Sequence, residues 1–494
     1  MTKPASFEER RMYGLWTRPR NPGLFGFSWM ASIAALVVIV VALLASAVAD
    51  LTTALVIFVV GAIVVVPLGY EHNGKNGYER GILMFQWFRG VMAKENIYRA
   101  GVFSAHGSCK QPGLMAQTKL YSGVDFAGNE FGMIHMPKTN MYTVAVRCFP
   151  QGAQASDQAR VDAWVGAWSK FMATLGAAPD VVAIVPVIDT IPETGNRLKA
   201  EVDYLVHDNA PPLAKAMMFE LGNELPSEKV HMETWLSITF RATTPARRRD
   251  PAEQATEIGR RLPGILNGLA DAGVRAIPMK SEQIIACTRR AWDPATEPDF
   301  EEAKMLGQPH GVSWDEAGPI GDVEKSDRLF HDGVVSVTWE MEQAPESAVD
   351  EKVLKRLIEP NPDLPRKRVA IVYRPHKPAE AVDIVDTDFK NATAAEQTER
   401  GVGSAAATIK VGATQQARQE QAQGHGVTRF GILITVTAHK DADDPSLEAI
   451  TKDLSTQARL KIRRSHYYQA AAFAAGMGFG VVLPEMASVP KELS

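Results

Sequence analysis

The sequence predicts a membrane-anchored α+β protein: a two-helix transmembrane hairpin followed by two cytosolic α/β units with mixed or antiparallel sheets. Three observations predict it. Residues 24–69 form one apolar stretch that is broken once, by Asp50. From Gly113, short alternating apolar runs bounded by Gly, Asn and Pro pass into an alternation of strand-like and helix-like segments. Beyond residue 327 the same alternation begins again.

The apolar stretch is too long for a single crossing, which takes about 20 residues to span ~30 Å of hydrocarbon. Division at Ala49-Asp50 gives spans over 27–48 and 52–68, neither with an ionisable side chain. An aspartate at the bilayer centre costs about 3 kcal/mol, so Asp50 is placed at the hairpin tip, on one face of the membrane. Helices in soluble cores average only about 10–14 residues. Lys3, Arg10, Arg11, Arg18 and Arg20 precede the spans, and Lys75, Arg80, Arg89, Lys94 and Arg99 follow them. The positive-inside rule then puts both flanks and both termini in the cytoplasm, with Asp50 outside. Ala45-Ser46-Ala47 offers small residues for signal cleavage, but a cleaved signal would not run at once into a second apolar span.

Residues 1–23 form a basic cytoplasmic tail, with Tyr13 and Trp16 as interfacial aromatics. Past the hairpin, 78–100 reads as an amphipathic elbow helix. Met84, Phe85, Phe88, Val91 and Met92 share a face, while Arg80, Gln86, Arg89 and Lys94 point elsewhere. Such a segment lies in the membrane interface or packs on the first cytosolic domain.

The first cytosolic unit covers 101–290. Strands are expected over 119–124, 130–135 and 141–148 as a small antiparallel meander. A helix follows Ser156-Asp157, capped by Ser156, with Val161, Trp164, Val165, Trp168, Phe171 and Met172 at helical spacing. Strands at 181–188, 231–241 and 274–279 alternate with helical sequence at 196–225 and 251–272. Residues 291–327, rich in Asp, Glu, Pro and Gly, are longer than an ordinary connection and read as a linker or an ordered excursion. The second unit, 328–489, repeats the pattern: strands at 333–341, 368–374 and 429–438, helices at 350–358 and 445–460. Its long helical arm, 379–423, ends in a stretch of Ala, Gln, Thr and Gly that suits a solvated excursion or an interaction arm.

Composition narrows the function. The formal net charge is −4, too low for a global nucleic-acid footprint. Cys109, Cys148 and Cys287 are scattered without a CxxC pair, which argues against a disulfide framework or a zinc site and suits a reducing compartment. There is no P-loop, HExxH or GxSxG motif. His231 and Glu233 match half of a deaminase zinc motif, but no PCxxC follows, so they read as a surface or packed polar pair. The basic runs 247–249, 366–368 and 463–464 read as solvated loop charge, or as contacts to headgroups or an acidic partner. No catalytic, cofactor-binding or metal residue is nominated, and no cofactor is expected. An enzyme whose site is assembled from distant residues is the alternative class. A handler of a transferred strand would need a basic groove with stacking aromatics.

The hairpin and elbow together resemble the small PrgI-like membrane component of Gram-positive type IV secretion systems. The stretch PGLMAQTKLYSGVDFAGNEFGMIHMPKTNMYTVAV is similar to actinobacterial proteins of integrative conjugative elements and, more weakly, to the start of the cytosolic part of the type VII secretion component EccE. GPIGD, RLFHDGVVSVTWEM and SHYYQAAAFAAGMGFGVVLP resemble the amino-terminal domain of conjugation ATPases, in which a segment like Gln469, Ala472 and Phe473 leads on to the motor. The chain stops at Ser494, where that motor would start. The resemblance implies a bacterial inner-membrane component of a conjugation or secretion channel that does not hydrolyse ATP. Its implied partners are the lipid bilayer, an ATPase in trans, other channel subunits and further copies of itself, without direct nucleic-acid binding.

Overall fold

The computed structural model describes residues 13–14, 29–48, 50–69, 71–72, 75–101, 104, 107–152, 156–207, 209–224, 230–345, 347–398, 405–422, 424–442 and 444–487. The fold is α+β with antiparallel strand pairing throughout the main sheet.

The apolar stretch forms α1 (Trp29–Val48) and α2 (Leu51–Gly69). They pack together where small residues allow: Ala31 and Ala54 are buried, and a Cβ on Gly61 would come within 2.2 Å of Val38 Cγ1. Their outer faces, including Leu36, Leu43, Leu44, Phe58 and Ile63, are exposed. Ala31–Val48 is long and apolar enough to cross a membrane, and Leu51–Pro67 is a shorter apolar helix. Asp50 lies exposed between the two helices, where its carbonyl accepts from the Ala54 N–H.

The elbow helix, α3 (Gly77–Met92), starts at a capping box in which Asn76 and Glu79 satisfy each other's backbone N–H. Gly77 sits against Pro67, and Tyr78 donates to the carbonyl of Val64, so the angle between α2 and α3 is fixed by contacts on both sides of the turn. Most of the basic tail, Trp16 included, lies outside the described residues. Tyr13 and Gly14 pair with Val349 and Ala348, so Tyr13 is held against the sheet-bearing body rather than standing as a free interfacial anchor.

The remaining chain builds one thirteen-stranded sheet. Its strands are β1 (Ile97–Arg99), β2 (Lys119–Val124), β3 (Glu130–Met136), β4 (Met141–Pro150), β5 (Val181–Pro192), β6 (Val230–Arg241), β7 (Val274–Pro278), β8 (Gly321–Glu324), β9 (Leu329–His331), β10 (Val334–Gln343), β11 (Arg366–Pro375), β12 (Thr428–His439) and β13 (Lys461–Arg464). The order is β1-β8-β9-β10-β12-β11-β5-β6-β4-β3-β2, with β7 also on β4 and β13 also on β10. The two expected units are therefore halves of a single sheet, joined where β5 pairs with β11.

The halves are related by a pseudo-two-fold axis. In each, four strands run second-third-first-fourth: β5-β6-β4-β7 and β11-β12-β10-β13. Trp235 lies between Val187 and Arg147 as Leu433 lies between Ala370 and Glu340. Val187 and Ala370 face each other across the join, so the axis passes between them.

One face of the first half is covered by α4 (Gln158–Gly176) and α8 (Pro251–Asp271), which bring Phe171, Leu175, Ile258 and Leu262 onto Tyr142, Val144 and Ile238. The same face of the second half is covered by α11 (Lys355–Ile358) and α14 (Asp444–Gln457). The opposite face carries α9 (Ser281–Trp292) and the C-terminal run, which share a third core with Val185, Val187 and Ala370.

Five local expectations change. The elbow helix expected over 78–100 ends at Met92, and Ile97–Arg99 join the sheet as β1. Asp157, not Ser156, caps α4: its carboxylate accepts from Arg160 N–H. Residues 291–327 form the last turn of α9, then α10 (Glu297–Met305), and then β8 of the sheet, with Trp314 buried and donating to Thr118. The helix expected over 350–358 is only α11, because 351–354 turn. The arm is two helices, α12 (Pro378–Thr398) and α13 (Ala405–Ala422), packed on each other through Arg418, which pairs with Asp386 and lies over Phe389.

Candidate functional site

Sequence places its candidates at the apolar-helix end and in the C-terminal run, and the structure connects both to the sheet. Lys75, between α2 and α3, lies 3.3 Å from Glu340 on β10 and 4.0 Å from the ring centre of Tyr468, whose hydroxyl it also meets. Burial pushes the Lys75 ammonium down, with Glu340 opposing. Burial would raise the Glu340 carboxyl, but Lys75 and Arg463 overcome it and hold it down. On α3, the Trp87 ring packs against Tyr467, tilted by 55° with centres 5.7 Å apart. Lys75 and Trp87 thus hold the elbow to β10 and to the Tyr467–Tyr468 segment.

Elbow residues Met84, Phe85, Phe88 and Met92 are exposed, Val91 is half-buried, and none of α3 is fully buried. Beside them a recess of about 780 Å³ opens between α2 and α3, lined by Pro67, Tyr78, Ile82, Phe85 and Arg89.

Gln469, Ala472 and Phe473 are wholly buried in α15 (Gln469–Gly476). Gln469 bonds both the N–H and the carbonyl of Thr338, so it acts as an extra rung on β10. Phe473 packs on Trp292 at 4.7 Å and His331 at 5.0 Å. From there the chain crosses the two-fold axis. Met477 accepts from Trp235 Nε1 at 3.1 Å, Gly478 lies on Val187, Gly480 lies on Thr143, and Glu485 pairs with Arg241. Gly478 and Gly480 have φ of +75° and +94°, and a Cβ would come within 2.7 Å of Val187 and 2.9 Å of Thr143. Only glycine fits there. The run is a strap from one half-sheet to the other.

Beneath α9, beside the strap, lies a charge network that sequence reasoning missed. Arg366 and Arg368 both reach Asp189, at 2.7 and 3.0 Å. Arg147 and Arg290 both reach Glu233, each at 2.9 Å, and Arg290 also meets Glu297. Asp189, Glu233, Glu297, Arg290, Arg366 and Arg368 are all buried. Burial would raise the Asp189 and Glu233 carboxyls, yet the paired guanidiniums hold both well below the usual carboxylate range. The run 366–368 is therefore not solvated loop charge. It is strand, with alternate residues on opposite faces: Arg366 and Arg368 enter the network while Lys367 donates to the carbonyl of Glu359. Burial pushes the Lys367 ammonium down to about 8. His331 is held neutral, pushed down to about 4 by burial, with Ser336 on Nε2 and the Trp292 carbonyl on Nδ1.

His231 and Glu233 share a face but serve different clusters. His231 Nδ1 is 3.1 Å from Glu193, and Glu301 of α10 completes a set whose donor atoms lie within 4.8 Å of one another. These are donor types that suit a divalent cation, although Glu301 is already engaged by the Thr194 hydroxyl. Signals for the network existed only as alternation within 366–368 and as the apolar spacing of Ile284, Ile285, Thr288 and Trp292 on α9.

A titratable group sits where the chain enters the sheet. Asp322 on β8 opposes Tyr98 on β1, and burial pushes its carboxyl up to about 7, with Glu324 and Asp332 adding and the Tyr98 N–H opposing. A raised carboxyl gives stability that is present below about pH 4 and lost as pH rises through about 7. Asp322→Asn is therefore expected to raise the melting temperature at about pH 8 and to leave it nearly unchanged at about pH 4. Thermal melts at both values check this.

Residues 20–79 match the family model of DUF8461, a domain of unknown function. The match spans α1, α2 and the capping box, and stops in the first turn of α3. Among curated proteins, none matches the chain.

Proposed function

We propose that this chain is a non-catalytic, membrane-anchored scaffold of a type IV-like conjugation or secretion channel, whose cytosolic sheet docks a secretion ATPase supplied in trans. In this reading α1 and α2 cross the bacterial cytoplasmic membrane with Asp50 outside and both termini in the cytoplasm. The observation that carries the scaffold reading is the joint at Lys75 and Trp87, which ties two outwardly apolar helices to a broad, cross-braced sheet. A flexible tether would suffice to localise an enzyme, whereas a fixed joint sets orientation as well. Tethering raises the effective concentration of a docked motor at the pore. The channel assignment is supported by the resemblance of GPIGD and the 465–484 run to conjugation ATPase amino-terminal domains. The α12–α13 hairpin is the proposed reach toward a neighbour.

Two measurements test the proposal in sequence. The chain is expected to stay with membranes through alkaline carbonate extraction. A detergent pull-down of the tagged full chain, read by mass spectrometry, is then expected to recover a P-loop ATPase and further membrane components, less efficiently after deletion of 398–423. A monodisperse chain recovered alone would sink the channel reading and bring the membrane-anchored enzyme forward.

A further inference from the structure

We infer that α3 is a lipid-reading paddle: its Met84, Phe85, Phe88 and Met92 face lies in the headgroup region of an anionic leaflet, while its Trp87 side faces the cytosolic body. The inference rests on the proposed crossing by α1 and α2. A helix of this length would ordinarily bury its apolar stripe against protein. Here that stripe is exposed, although the adjoining Trp87 flank is engaged by Tyr467.

Placement argues for lipid as the occupant. Phe85 and Arg89 line the recess that opens toward Pro67 at the end of α2, so this side of α3 looks back along the apolar helices. The turn is fixed, because Gly77 abuts Pro67 and the Asn76–Glu79 capping box closes the first turn. If α2 leaves the bilayer at Pro67, α3 starts at the headgroup level with its exposed stripe beside the recess. Arg80 and Arg89 fall at opposite borders of the apolar stripe at helical spacing, and Lys94 follows its end. Long basic side chains at such borders reach phosphates while their stems cover apolar surface.

The full chain is reconstituted into bilayers of phosphatidylcholine, with and without phosphatidylglycerol. A polarity-sensitive dye is attached at Phe88→Cys or, as the opposite-face control, at Gly90→Cys, where a side chain meets only ordinary contacts, with labelled wild type subtracted for the native cysteines. The dye at 88 is expected to emit to the blue of the dye at 90 and to be quenched several-fold more by a nitroxide lipid, more strongly with phosphatidylglycerol present. Arg80→Gln with Arg89→Gln is expected to remove the phosphatidylglycerol dependence. Equal, water-like emission at both positions in a carbonate-resistant chain would overturn the paddle while leaving the anchor standing. Shielding at 88 that persists in detergent and grows with protein concentration would also overturn it, in favour of a second copy. Loss of the chain from the membrane in carbonate would remove the anchor itself.

Discussion

Asp189→Ala is expected to destabilise the protein by about 3–5 kcal/mol, the range for removing one partner of a buried charge pair. The side chain lies at the join of the two half-sheets, directly opposite Arg368 in register, and accepts from both Arg366 and Arg368. Alanine there leaves two buried guanidiniums facing a small void, with Arg290 and Arg147 already committed to Glu233. Replacing the set with apolar residues, Asp189→Leu with Arg366→Met and Arg368→Met, is expected to be far milder, because paired desolvation is removed together. The sign of the pH effect follows from the lowered carboxyls. Stability from Asp189 and Glu233 is present above about pH 4 and lost as pH falls toward their folded-state values. Denaturant unfolding in detergent, followed by tryptophan fluorescence, measures all three. A loss below about 1 kcal/mol for Asp189→Ala would mean that solvent reaches the arginines.

Phe473→Ala is expected to cost about 3–5 kcal/mol, as deletions of a fully buried phenyl ring do. The ring is caught between Trp292 and His331, with the Arg368 guanidinium 5.8 Å from its centre. The cavity has little means of collapse, since α9 is held by its own ion pairs and the strap is pinned by Gln469. Phe473→Leu is expected to recover more than half of the loss. This comparison bears on any binding assay: a Phe473→Ala chain that no longer captures an ATPase has first lost the strap. Exposed residues of α13 are the cleaner probes of docking.

Much of the architecture is legible in the sequence, because the patterns that dictate it are local. Alternation fixes β4, β6, β10, β11 and β12 to within a few residues, and the length and purity of the apolar stretch fix α1 and α2. What is not legible is what distant residues do for one another. Arg366, Asp189, Glu233 and Arg290 are harmless surface charges when read singly, and they become a core only when β5, β6 and β11 are laid side by side. Gln469, Ala472 and Phe473 stand out by resemblance, yet their burial follows from the sheet they lie on. The stretch 291–327 reads as a linker or an ordered excursion because its acids are counted as solvated. Glu297 and Glu301 lie instead on the buried side of α10, and their carboxylates face Arg290 and Thr194.

The strap has a consequence for symmetry. A sheet with two like halves, left bare, would present the same surface twice about the Val187–Ala370 axis. The strap starts on β10 and ends on β4 and β6, and no second strap crosses in the other direction among the described residues. It makes the two halves chemically unequal on that face, with alanines over one and glycines over the other. The pseudo-symmetry of the sheet is thus broken within the chain itself, by a run of buried residues.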